Sequence, residues 1–185
     1  MLYTRKGDDG TTNTIAVKER FSKSSDIAEA LGTMDEINSF VGLCKVKAKG
    51  FNIKIGNKEI PLSEILNNVQ EKLFIVQAEI AGIEKSVSED AVKEVEGLID
   101  GIEKELPPIK TFFIAGGDEL SAMFDFARTI ARRAERRVAC INDQKMVKIN
   151  SITLAYLNRL SSLLYALARI VNHEKGVEEK KPNYK

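Results

Sequence analysis

The 185-residue chain has no tryptophan, one histidine, two cysteines and four prolines. Each scarcity removes a class of chemistry. His173 stands alone, and Cys44 and Cys140 have no CxxC partner, so a zinc site or a Ser-His or Cys-His nucleophile system has little to be built from. The two cysteines lie in helical patterns and read as buried thiols in a reducing compartment rather than as a disulfide. No apolar run approaches the roughly 20 residues that span a bilayer, and Met1-Leu2-Tyr3 leads straight into polar sequence without a signal-peptide core. The expectation is a cytoplasmic protein with no membrane partner. An excess of positive charge is missing too. Lys and Arg number 28 against 27 Asp and Glu, which withholds the global electrostatic footprint of a nucleic-acid binder. Any anion site must be local.

The length suits one domain over residues 1–185 with a proper core. Its interior is written in helical periods. Ile27, Ala30, Leu31, Met34, Ile37, Val41 and Cys44 predict a first helix from Ser25 to about Lys49, capped by Ser25 or Asp26, with Asp35 at the edge of its apolar face and Asn38 almost within it. Phe51 to Ile60 alternates around Gly56-Asn57 and predicts a small peripheral hairpin. A second helix runs from Leu62 to about Glu84 with its cap near Ser63. A third, more acidic, runs from Ser88 to Glu105 and is ended by Pro107-Pro108. From about Ile149, Leu157, Leu160, Leu164, Leu167 and Val171 mark a fifth, after which the tail at 173–185 is polar and mobile. Five amphipathic helices with short links give an all-α bundle, in which ligand sites form from side chains on facing helices.

The fourth helix carries the chemistry. Gly116-Gly117 breaks the chain, Asp118 is placed to cap, and Leu120, Phe124, Ala127, Ala131, Ala134 and Val138 then fall on one face. Arg128, Arg132, Glu135 and Arg136 share the neighbouring flank, while Arg133 and Arg137 point roughly the opposite way. A guanidinium fork pairs bidentately with phosphate oxygens, so the flank suits a polyanion. The alternative is a solvated face held by Glu-Arg pairs. At the N-terminus, the polar stretch YTRKGDDGTTNT offers glycines, hydroxyls, an amide and the charges of Arg5 and Lys6. It lacks the GK[ST] ending of a Walker A loop, and an ordinary turn is the competing reading. Lys18, Arg20 and Lys23 follow as solvated charges or as a second anion clamp.

Four segments in this order, YTRKGDDGTT, GTMDEINSFVGL at 32–43, FFIAGGDELSA followed by ARTIARRAERR at 112–137, and YLNRLSSLLYALAR at 156–169, resemble the signature blocks of the PduO-type ATP:cob(I)alamin adenosyltransferases. The resemblance implies a homotrimer of five-helix bundles with active sites between subunits. It also implies a reaction in which cob(I)alamin cobalt attacks the 5′ carbon of ATP, giving adenosylcobalamin and triphosphate, with Mg²⁺ carried by the nucleotide and not by a dedicated protein site. Matched to the family's motifs, residues 1–24 wrap ATP through Arg5, Lys6, Gly7, Asp8, Gly10, Thr11, Thr12 and Asn13, with Lys23 as the following basic position. Arg132, Glu135, Arg136 and Asn158 complete the ATP set. Arg128 and Asp35 match a pair that joins across the subunit interface, and Phe112 matches the aromatic residue beneath the corrin, where it displaces the lower axial ligand. For Phe112 the competing reading is core packing.

A cob(II)alamin-reducing flavoprotein and a cobalamin-dependent acceptor enzyme are the implied partners. Three positions depart from the family pattern: Ala115 where proline is common, Asp118 where a small residue is common, and Asp9 where lysine is frequent. The rival classes are an ATP or cobalamin carrier without turnover, against which Phe112 and the arginine flank argue together, an RNA- or DNA-binding helical protein, and a purely structural bundle.

Overall fold

The computed structural model describes residues 2–16 and 18–184, so Met1 and Val17 of the N-terminal segment and Lys185 of the tail lie outside it. Five helices form: α1 (Asp26–Lys47), α2 (Leu62–Ile80), α3 (Glu89–Glu105), α4 (Glu119–Asp143) and α5 (Ser151–Glu174). Two short antiparallel pairs accompany them, β1 (Thr11–Thr12) with β2 (Phe21–Ser22), and β3 (Asn52–Ile55) with β4 (Lys58–Pro61). The first pair has no periodic signature and is not legible in the sequence.

The helices start where side-chain oxygens can accept the free amides of a first turn. Ser25 accepts from Ala28, Ser88 from Ala91, Asp118 from Leu120 and Asn150 from Ile152. The start of α2 differs from expectation. Ser63 is not its cap: Pro61 occupies that position without a side-chain bond, because β4 runs directly into the helix and the Leu62 amide instead donates to the Phe51 carbonyl at 3.0 Å. The hairpin is also not peripheral. Ile53 is fully buried, and the Gly56 amide at the turn donates to the Glu105 carboxylate at 2.7 Å, fixing the hairpin on the end of α3.

The bundle is ordered around α4, which packs between α1 and α5; α2 covers the other side of α1, and α3 the other side of α5. The predicted stripe Leu120, Phe124, Ala127, Ala131, Ala134 and Val138 is buried throughout, and its alanines let the neighbouring helices approach closely. A buried carboxylate joins the far end of the bundle. Glu79, near the end of α2, accepts from the Asn150 amide and the Thr153 hydroxyl, both at 2.6 Å, and so anchors the first turn of α5. Of the two free thiols, Cys44 is fully buried and desolvation pushes its pKa up to about 12, whereas Cys140 is only half-buried.

Asp118 has a second partner. Burial would raise its carboxyl pKa, but the Lys175 ammonium at 2.8 Å and the Leu120 amide outweigh that effect and hold it below the ordinary 3.8. A depressed native pKa contributes stability that is present above the unfolded value and lost as pH falls through the native one. Asp118→Ala therefore lowers the unfolding free energy by about 1 kcal/mol at pH 7. In urea melts the deficit relative to wild type closes as the pH is taken below 3.8.

Candidate active site

With α4 clocked by its buried stripe, its five arginines divide by side. On the α1 side, Arg133 pairs with Glu36 and Arg137 with Glu29 at 3.5 Å, beside an edge-to-face contact of Phe126 and Phe40 with ring centroids 5.1 Å apart. On the α5 side, Arg128, Arg132 and Arg136 have no carboxylate within ion-pair distance among the described residues. A face stabilised by ion pairs would have consumed these charges. Glu135, the carboxylate among them, is instead occupied by the Asn158 amide nitrogen at 2.9 Å. The Asn158 oxygen accepts from Arg159 at 2.8 Å, and Arg159 pairs with Glu96 of α3 at 2.8 Å. Arg136 donates to the Arg132 carbonyl at 3.0 Å, which holds its guanidinium alongside the row. The Nε of Arg128 is buried with no acceptor among the described residues, a donor costly to leave open.

Arg128 and Arg132 open into a cavity of about 760 Å³ between the end of α3, the 106–115 segment, α4 and α5. Its walls include the apolar and aromatic side chains of Ile102, Leu106, Phe113 and Tyr165, while Ser161 and Ser162 add hydroxyls and Glu103, Lys110 and Asp125 add charge. Phe112 stands at the mouth, 76% exposed, so core packing does not account for it. Behind the wall, Arg169 is buried and paired with Asp125 at 2.6 Å and with Glu179 at 2.5 Å. The turn carrying Phe112 closes tightly against α5. Gly117 has a φ of +102°, and a β-carbon there would lie 2.8 Å from Val177 Cγ1 and 2.9 Å from Asn172 Oδ1. Asp118 also finds its role here as the α4 cap.

The N-terminal loop is a second, separate construction. Arg20 donates to the Thr11 hydroxyl at 2.6 Å, the Thr11 carbonyl at 2.9 Å and the Lys6 carbonyl, and pairs with Asp9 at 3.5 Å. Hydrogen bonds from the Thr11 hydroxyl and amide hold the Asp9 carboxyl below its usual value, so this acidic departure is spent within the loop. Lys23 donates to the Gly7 carbonyl at 2.8 Å so closely that a β-carbon on Gly7 would meet its nitrogen at 2.9 Å. Arg5, Lys6, Asp8, Gly10 and Asn13 are exposed, and Thr12 is half-buried in β1. Among the described residues no hydrogen bond or ion pair joins residues 5–13 or Lys23 to the α4 flank or Asn158, and Asp35 lies exposed on α1 without an ion-pair partner. The predicted site residues thus form two half-sites on one chain. Asp125, Ser161, Tyr165, Arg169 and Asn172 were not singled out from the sequence, although a charge inside the apolar run LARIV was a readable signal.

Fold and site define an all-α bundle whose central helix sets a row of unpaired arginines beside an aromatic-lipped cavity. The cobalamin adenosyltransferase family model matches residues 2–171, and the chain belongs to that family. It is 36% identical over 180 residues to the corrinoid adenosyltransferase of Bacillus subtilis (strain 168), a match covering 95% of this chain and 89% of that protein. It is 34% identical over 180 residues to the corrinoid adenosyltransferase PduO of Citrobacter freundii, covering 94% of this chain and 50% of PduO, so it spans about half the length of that relative. Among solved structures, a phenylalanine-to-alanine variant of the PduO-type ATP:corrinoid adenosyltransferase from Lactobacillus reuteri, complexed with cobalamin and ATP, superposes with a TM-score of 0.85 at 28% identity over 99% of both chains. An arginine-to-lysine variant complexed with ATP superposes with a TM-score of 0.84, covering 98% of this chain and 100% of that one.

The fit of the 116–117 turn is testable by itself. Gly117→Ala loses about 1–3 kcal/mol of stability through the strained φ and the contacts with Asn172 and Val177. Gly97→Ala, with open space around a helical position in α3, is neutral or stabilising by up to about 1 kcal/mol. Thermal melts of the two variants should move in opposite directions or leave the second unmoved.

Proposed function

We propose that this chain transfers the 5′-deoxyadenosyl group of ATP to the cobalt of cob(I)alamin. The cobalt lone pair forms the Co–C bond as the C5′–O bond breaks, and the electron pair leaves on triphosphate. Reduced cobalt is itself a strong nucleophile, so the protein needs none, which suits a chain with one histidine. Its work is to align the two substrates and to neutralise the leaving charge. The observation that carries the reading is the sorting of α4: among the described residues Arg128, Arg132 and Arg136 remain without carboxylates while Arg133 and Arg137 on the same helix are paired.

In this reading Arg132, Arg136, Glu135 and Asn158 hold the nucleotide from one side. The loop at Arg5, Lys6, Gly7, Asp8, Gly10, Thr11, Thr12 and Asn13, with Lys23, closes from the other. Mg²⁺ arrives with ATP. Among the described residues no three acidic, histidine or cysteine side chains gather as a metal cage, and one or two carboxylates such as Asp8 beside triphosphate oxygens and water are what a nucleotide-borne Mg²⁺ requires. Phe112 presents a ring with no ligand atom to the lower face of the cobalt. It thereby favours four-coordinate cob(II)alamin, whose electron-accepting orbital is not raised by an axial donor, and eases reduction by a flavoprotein. The product goes to a cobalamin-dependent acceptor enzyme. The site is cytoplasmic in this reading; no helix among the described residues is long and apolar enough to cross a membrane.

We infer that the two half-sites meet between assembled copies of the chain, and that the assembly is a homotrimer. Three features support it. Phe126 and Leu43 are exposed on the α1–α4 side, and among the described residues Asp35 is exposed without an ion-pair partner and the Arg128 Nε is buried without an acceptor. Asp35 of a neighbouring subunit supplies what Arg128 lacks, and the loop of one subunit reaches the α4 flank of the next. Phe126→Arg should convert a trimer to monomers in sedimentation experiments and abolish turnover with it. A wild-type monomer that retains activity would overturn the interface reading.

The reaction is tested anaerobically with chemically reduced cob(I)alamin, MgATP and purified protein, following the visible spectrum as the Co–C bond forms. Wild type should give adenosylcobalamin. Arg132→Ala should be slower by about a hundredfold or more, the scale of one lost charge-stabilising donor. ATP binding without conversion by wild type would replace the enzyme reading with that of a carrier.

A further inference from the structure

The ion network behind the cavity has no part in the transfer as described, yet it ties the chain's last residues to the turn that carries Phe112. Arg169 is 2% exposed, and its guanidinium faces the rings of Tyr165 at 4.9 Å and Phe113 at 5.7 Å, both cavity walls. A buried cation so placed requires compensating charge. Asp125 of α4 supplies one carboxylate, and Glu179, five residues beyond the end of α5, supplies the other.

Glu179 also accepts from the Asn172 amide nitrogen at 2.8 Å. Asn172 donates as well to the Gly116 carbonyl at 3.2 Å and accepts from the Asp118 amide at 3.1 Å. The Ile114 amide donates to the Lys180 carbonyl at 2.8 Å. Residues 177–180 therefore lie along the 113–118 turn, with Glu179 as the charged link to the bundle. Phe112 is too exposed for its ring to be held by its own packing, so its placement depends on how firmly the neighbouring backbone is held.

The geometry points to Glu179 as a positioning residue for the adenosyl transfer. By closing the Asp125–Arg169–Glu179 triad it holds the C-terminal segment against the turn and sets Phe112 at the height that keeps a lower axial ligand off the cobalt. The inference rests on the proposed function, but its first readout does not. In the full-length protein alone, Glu179→Gln should speed hydrogen exchange of the Ile114 amide by about tenfold or more, with amides in the middle of α4 unchanged.

With cob(II)alamin, MgATP and a reductant, the variant should show a smaller four-coordinate fraction in its electron paramagnetic resonance spectrum. Its kcat should fall by about tenfold while the KM for ATP stays within about twofold. With cobalt supplied already as cob(I)alamin, which carries no lower ligand, its rate should approach wild type. Glu179→Asp keeps the charge with a shorter reach and should fall between the two; it serves for all three readings if the glutamine variant does not fold.

Wild-type exchange at Ile114 together with an unchanged four-coordinate fraction would overturn the assignment, and so would an equal loss of rate with cob(I)alamin and cob(II)alamin. Failure of wild type itself to make adenosylcobalamin would refute the functional reading and leave the exchange result standing.

Discussion

The rotation of α4 about its own axis is the constraint on which the site depends. A helix covered on two sides has no freedom to turn, because the stripe from Leu120 to Val138 must stay between α1 and α5. At about 100° per residue, that fixes where each arginine emerges. Arg133 and Arg137 reach the acids of α1. Arg128, Arg132 and Arg136 emerge towards α5, where Glu135 is already held by Asn158 and the cavity opens. Alanine at 127, 131 and 134 serves the same end, since larger residues would push the neighbours away and loosen the register.

The cavity wall shows a different economy. An aliphatic residue at position 169 would fill the same interior space without a desolvation cost, and paired buried charges are seldom retained for stability alone. Arg169 joins what an aliphatic residue would leave separate: α4 through Asp125, the cavity rings through its guanidinium face, and the C-terminal segment through Glu179. The turn at 116–117 is then bounded on one side by the capped start of α4 and on the other by Asn172. The cavity mouth thus rests on a frame assembled from segments distant in the chain.

Much of this was legible in the sequence because it obeys local rules. Periodic apolar residues placed four of the helices, Ser88 and Pro107-Pro108 bounded the third, Ser25 and Asp118 were readable as caps, and the two flanks of α4 followed from counting. The Ser63 cap failed because a strand running straight into α2 satisfied its first amide through Phe51, a contact between segments. The hairpin's burial was hidden for a similar reason, since Ile53 alternates like any edge strand until α3 and α5 are packed against it. Arg20 and Lys23 read equally well as solvated charges until their bonds to the loop's carbonyls were seen.

By itself the sequence determined the helical content, the side of α4 on which each arginine lies, and the family signature, because these depend on spacing within one segment. Tertiary structure decided which of those arginines are spent in ion pairs, how Phe112 comes to stand exposed over a cavity, and that among the described residues no hydrogen bond or ion pair joins the loop to the α4 flank. Charge pairing and burial are properties of neighbours, and the neighbours of α4 come from α1, α5 and the chain's last residues, brought together only by folding.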